Sequence, residues 1–105
     1  MSGATSRRKG VGGEREVRKL FEEYGFRVRG LEGQGDHLAI GHGLTLSLEV
    51  KRKERLNIWE CLAQAERETP DPFVPGVLVF RRNRSSWKIA MDADDLLGLI
   101  TKEAT

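Results

Sequence analysis

The stretch LTLSLEVKRK, Leu44 to Lys53, decides how this chain folds. Leu44, Leu46, Leu48 and Val50 occupy every second position, which is the alternation of a β-strand with one buried face. The other face reads Thr45, Ser47, Glu49, Lys51, so a carboxylate and an ammonium project side by side. Upstream, the tight turn GHG joins this strand to DHLAI, and the Gly-rich EGQG joins DHLAI to FRVRGL, which makes a run of antiparallel strands.

Outside this run the pattern changes to helical spacing. Val17, Leu20, Phe21 and Tyr24 predict a helix from about Gly12 to Tyr24, ended by Gly25. A second helix is expected from Ile58 to Glu68, with Asn57 as N-cap, Glu60 at N3 and an inner stripe of Ile58, Cys61, Leu62 and Ala65. TPDPFVPG stops it. VLVF and WKIAM read as two more strands, and a last helix starts at Asp92 with Ala93, Leu96, Leu97 and Ile100 facing inward. The order α-β-β-β-α-β-β-α predicts an α/β fold, one mixed sheet flanked by helices. Residues 1–10 are expected to form a flexible basic arm and residues 11–105 a single domain.

Of 105 residues, 32% are charged, yet the net charge is only +2. Basic residues cluster, as Arg7, Arg8 and Lys9 and again as Arg81, Arg82, Arg84 and Lys88, which suits a polyanionic partner. One cysteine, Cys61, excludes an internal disulfide and a Cys-rich zinc site. No apolar run is long enough to span a membrane and no secretion signal opens the chain, so a cytoplasmic location is expected.

EVK is weak evidence alone, but it ends a well-patterned strand, and Asp36 opens the strand before it. Antiparallel neighbours joined by GHG bring the start of one beside the end of the other, so Asp36, Glu49 and Lys51 can share one rim. Two close carboxylates repel unless a cation lies between them, and hard oxygen ligands suit Mg²⁺. Such an ion polarises a phosphodiester, while Lys51 stabilises charge developing on phosphorus. Glu14 extends the apolar stripe of the first helix, where a carboxylate needs a partner, and Gln64 lies at the edge of the second helix's inner face. The bland alternatives are a turn-capping Asp36, a dipole-favoured Glu14 and a boundary Gln64. His37 and His42 form no metal spacing, and GVGG reads as a flexible helix entry. Arg7, Arg8, Lys9, Arg15, Arg29, Arg52, Lys53 and Arg55 flank the acidic residues and suit phosphate binding together.

A helix glutamate, Asp36, Glu49-x-Lys51 and a helix carrying Gln64 resemble the PD-(D/E)xK nuclease superfamily, with its restriction-endonuclease-like fold. RRKGVGGEREVRKLFEEYGFRVRG, GDHLAI and LEVKRK are similar to archaeal-type Holliday junction resolvases and their phage relatives, over roughly residues 7–91. The resemblance implies a Mg²⁺-dependent endodeoxyribonuclease (Mn²⁺ substituting) that acts in DNA recombination and repair. It would work as a homodimer, cutting four-way junctions by paired symmetric nicks, in an archaeal, bacterial or phage-infected cell. It implies Glu14, Asp36, Glu49 and the Val50 carbonyl as metal ligands, Lys51 as catalytic lysine, and Gln64 beside them. Arg15 and Arg29 match arginines near the scissile phosphate, and Arg8 and Lys9 a DNA-gripping segment. Gly35 replaces the usual proline, and GLEGQG lacks a serine common in archaeal relatives. The alternatives are a PD-(D/E)xK nuclease acting on flaps, ends or duplexes, and an inactive DNA-binding module. A small RNA-associated protein is the third.

Overall fold

The computed structural model describes residues 2–30 and 37–101, with the backbone alone for residues 2–11. Among the described residues, three helices flank a single five-stranded mixed sheet. The elements are α1 (Ser2–Glu23), β1 (Arg27–Gly30), β2 (His37–Gly41), β3 (Leu44–Arg52), α2 (Ile58–Arg67), β4 (Gly76–Arg81), β5 (Lys88–Ala90) and α3 (Ala93–Thr101). Spatial order follows chain order, β1-β2-β3-β4-β5. β1, β2 and β3 form an antiparallel meander, β3 and β4 are parallel, and β5 returns antiparallel to β4. α2 lies in the β3–β4 connection, since parallel neighbours need a crossover.

Local chemistry sets the joints. Phe26 N–H donates to Phe21 O and Gly25 N–H to Glu22 O, a Schellman ending with Gly25 at φ +90°. The hydrophobic contact that accompanies this motif is the Phe21–Phe26 ring pair, with centroids 5.4 Å apart. The β2–β3 hairpin turns on His42 (φ 53°) and Gly43 (φ 75°), the two left-handed residues of a type I′ turn. A histidine in that conformation is uncommon; here Nε2 lies 2.6 Å from Tyr24 O and the ring meets Phe26 edge-on. At α2, the Asn57 side chain accepts from Glu60 N–H at 3.1 Å, the expected cap.

The main core lies on one face of the sheet. Leu46 and Leu48 of β3 pack with Ala39, Val28, Val77 and Val79 beneath Val17 and Phe21 of α1, with Val50, Trp87 and Leu99 at its edge. The opposite face carries Ser47, Glu49 and Lys51, in register with Gly76, Leu78 and Phe80 of β4. There α2 comes so close that a Cβ on Gly76 would stand 2.1 Å from the Ala65 carbonyl oxygen.

Three expectations change. α1 begins at Ser2 rather than near Gly12, so the backbone of the segment expected as an arm carries the helix on. Propagation adds a hydrogen bond for each residue fixed, which offsets the glycine penalty. Gly13 is not a loose helix entry: it is buried, and a Cβ there would meet Trp87 at 3.4 Å and Arg52 Cβ at 3.5 Å. In α3 the inward residue is Leu99, while Leu96, Leu97 and Ile100 are 43%, 56% and 63% exposed and Ala93 is also exposed. The helix docks along one narrow line, leaving most of its apolar stripe uncovered. No helix among the described residues is long and apolar enough to cross a membrane.

Candidate active site

Strand alternation places Glu49 and Lys51 on one face near the end of β3, two residues apart. Lys51 Nζ lies 3.4 Å from Glu49 Oε1. The Glu49 side chain is 12% exposed and that of Lys51 25%, so the pair is held in a shielded position where its Coulomb attraction is weakened less by solvent. Val50 turns its side chain to the other face, against the α1 core.

Glu14 stands on α1, over the face opposite Glu49. Its Oε2 is 3.5 Å from Nε2 of His37, the first residue of β2. His37 is in register with Leu48, the residue before Glu49, so both carboxylates belong to the same end of the sheet but come from opposite faces. Asp36 falls outside the described residues. Among the described residues, no three His, Cys, Asp or Glu side chains gather closely enough to hold one ion.

Gln64 does not turn to the sheet. Its amide donates to the Glu68 carboxylate one turn along α2, at 3.2 and 3.3 Å, the usual i to i+4 neighbour on a helix surface. Arg52, expected on DNA, is instead half-buried against α1. Its Nη1 donates to Glu16 Oε2 at 2.9 Å. Arg15, Arg29 and Lys53 are exposed. The side chains of Arg7, Arg8 and Lys9 lie outside the described residues.

Glu16 is the residue that sequence reasoning missed. Besides Arg52, it takes Arg81 Nη2 at 3.0 Å and Trp87 Nε1–H at 3.1 Å on Oε1. The Arg81 guanidinium also lies over the Trp87 ring, 5.3 Å from a ring centroid. One carboxylate on α1 thereby ties together β3, β4 and the entry to β5. Buried Gly13 beside Trp87 was the available signal, since a glycine inside a helix marks a close approach.

The structure can be set beside solved ones at this point. It is similar to Hjc, a Holliday junction resolvase from the archaeal hyperthermophile Archaeoglobus fulgidus. The TM-score is 0.60 at 21% identity, covering 79% of this chain and 72% of that one. The chain has the Hjc fold. No family model matches the sequence, and no curated protein does either. The mixed sheet flanked by helices is thus that of the Hjc nuclease fold.

Proposed function

We propose that this chain is a metal-dependent endodeoxyribonuclease of the PD-(D/E)xK superfamily that resolves four-way DNA junctions. The observation that carries the reading is the shielded Glu49–Lys51 pair at the end of the central strand, in a chain that folds as Hjc does. A structural ion pair would need no such placement. A carboxylate paired with an amine beside a sheet end is what phosphodiester hydrolysis requires.

In this reading Glu49, Glu14 and Asp36 hold Mg²⁺, with the Val50 carbonyl as a further ligand. The donor set is hard oxygen, which fits that ion. When bound, Mg²⁺ supplies Lewis-acid polarisation of the phosphate and a more acidic water. The chain's own residues do the rest. Glu49 fixes the Lys51 ammonium, which lies within reach of the same edge and stabilises charge as it develops on the phosphate oxygens. Exposed Arg15, Arg29 and Lys53, with Arg7, Arg8 and Lys9, hold the DNA backbone through contacts that carry no base information. Arg52 is better assigned to holding α1 than to holding DNA.

Junction choice then comes from symmetry. A single subunit offers one site, and two nicks on two-fold-related strands need two copies related by a two-fold axis. Homodimerisation is part of the reading. The test is incubation of the protein with a synthetic four-way junction and with its separate duplex arms, with and without Mg²⁺. Paired nicks in the junction alone, lost in Glu49→Gln while junction binding persists, are the expected result. Equal cutting of the duplex arms would favour the general-nuclease alternative, and unchanged cutting by Glu49→Gln would remove the assignment.

A further inference from the structure

His37 follows Asp36 and carries no role in the reading above. Its side chain is 15% exposed, and neither ring nitrogen has a hydrogen-bond partner. A neutral imidazole holds one donor and one acceptor, and leaving either buried and unmatched costs on the order of 1–3 kcal/mol. Such a group calls for an explanation other than packing.

The geometry around Nε2 supplies one. Glu14 Oε2 is 3.5 Å away, too far for a good hydrogen bond, since N–H···O contacts centre near about 3 Å. It is the spacing of two ligands on one ion. With metal–ligand bonds of about 2.1 Å, a 3.5 Å separation subtends roughly 113° at the metal, close to the tetrahedral angle. Glu14 is 41% exposed, so an ion and its waters can reach the gap. Gly30 lies opposite His37 in the β1–β2 register and leaves the Nδ1 side uncrowded; even a Cβ there would stand 3.5 Å from Nδ1.

We propose that His37 and Glu14 form a nitrogen–oxygen pair that binds a first-row transition-metal ion of the Zn²⁺ and Co²⁺ class, with water completing its shell. Imidazole favours these ions, whereas a set of carboxylates and waters favours Mg²⁺. His37 therefore adds to this end of the sheet a metal preference that carboxylates do not supply. The proposal shares only the Glu14 carboxylate with the nuclease reading, and it is tested on protein without DNA. Failure to cut junctions and failure to bind this ion are consequently separate results.

The experiment is a titration of metal-free protein with Co²⁺, followed by the visible absorption of the bound ion, on the unaltered chain, His37→Gln, Glu14→Gln and His42→Asn. The expected result is a saturable band whose midpoint shifts by at least about tenfold in His37→Gln and in Glu14→Gln, but not in His42→Asn. The same His37→Gln protein should bind Mg²⁺ as the unaltered chain does. If His37→Gln fails to fold, Co²⁺ broadening of the His37 ring resonances in the unaltered chain decides instead, with His37 affected before His42. No saturable band, a band unchanged by His37→Gln, or broadening of His42 ahead of His37 would overturn the proposal.

Discussion

Glu14 and Glu16 stand two residues apart on α1 and face different neighbours. Glu14 reaches His37 at the sheet end, and Glu16 accepts from Arg52, Arg81 and Trp87. Removing the second carboxylate leaves two half-buried guanidiniums and an indole N–H without it. Their Nε atoms already lack partners, so the arginines have little left to turn to. Because Glu16 is 38% exposed, water repays part of the loss. Glu16→Gln keeps the shape and one donor–acceptor set, and should lower stability by about 1–2 kcal/mol in urea unfolding. Glu14→Gln, at the more exposed position, should leave the unfolding midpoint nearly unchanged. Should Glu16→Gln match the unaltered chain, the three contacts are decorative. At Lys51 the outcome is kinetic: Lys51→Ala should fold normally and lose about a hundredfold or more in junction nicking.

Among the elements, the tightest joint is the crossing of α2 over β4. A methyl at Gly76 would run into the Ala65 carbonyl at 2.1 Å and its carbon at 2.5 Å, both backbone atoms that move only if the helix moves. Gly76→Ala should therefore cost about 3 kcal/mol, at the upper end of overpacking effects, read from the thermal midpoint. Gly13→Ala, where the added methyl meets Trp87 at 3.4 Å, should be far milder and partly offset by better helix propensity. The contrast shows what a sequence can disclose. The β3 alternation, the hairpin turn, the Gly25 stop and the Asn57 cap are local patterns, and each was readable within a few residues. Glu49 beside Lys51 was readable for the same reason. The Glu16 contacts were not, because Arg52 and Trp87 are 36 and 71 residues away from it along the chain. Gln64 was misread because a helix offers a polar side chain a neighbour of its own, Glu68, before anything across the fold. In α3 the apolar stripe was wider than the surface it covers, and spacing alone did not single out Leu99.

At the scale of the whole molecule, the two sheet faces are unequal. α1 covers a mainly aliphatic core, whereas the face under α2 carries Glu49 and Lys51. Beyond α1, the apolar residues of β5 and α3 stay open: Ile89 is 54% exposed and Ile100 63%. With Leu44, Leu46, Met91 and Leu96 they line a groove of about 480 Å³. A second copy is the occupant the proposed function requires, and a two-fold axis would lay this strip on itself. Leu97→Glu with Ile100→Glu should convert a sedimenting dimer into a monomer that keeps its fold and loses paired nicking. Exposed Trp59 and Phe73, 82% and 93% accessible, are the other surface to test, and a dimer that survives the α3 changes would point there.

The indole of Trp87, holding a carboxylate from the opening helix, also has a consequence for the order of assembly. Contacts between chain segments so distant close only after the intervening loop entropy has been met. A polypeptide emerging from the ribosome would keep its first helix unanchored until the last strand cleared the exit tunnel. Nuclease competence would then arrive in one step near the close of synthesis, sparing the cell a half-made enzyme loose among its branched chromosomes.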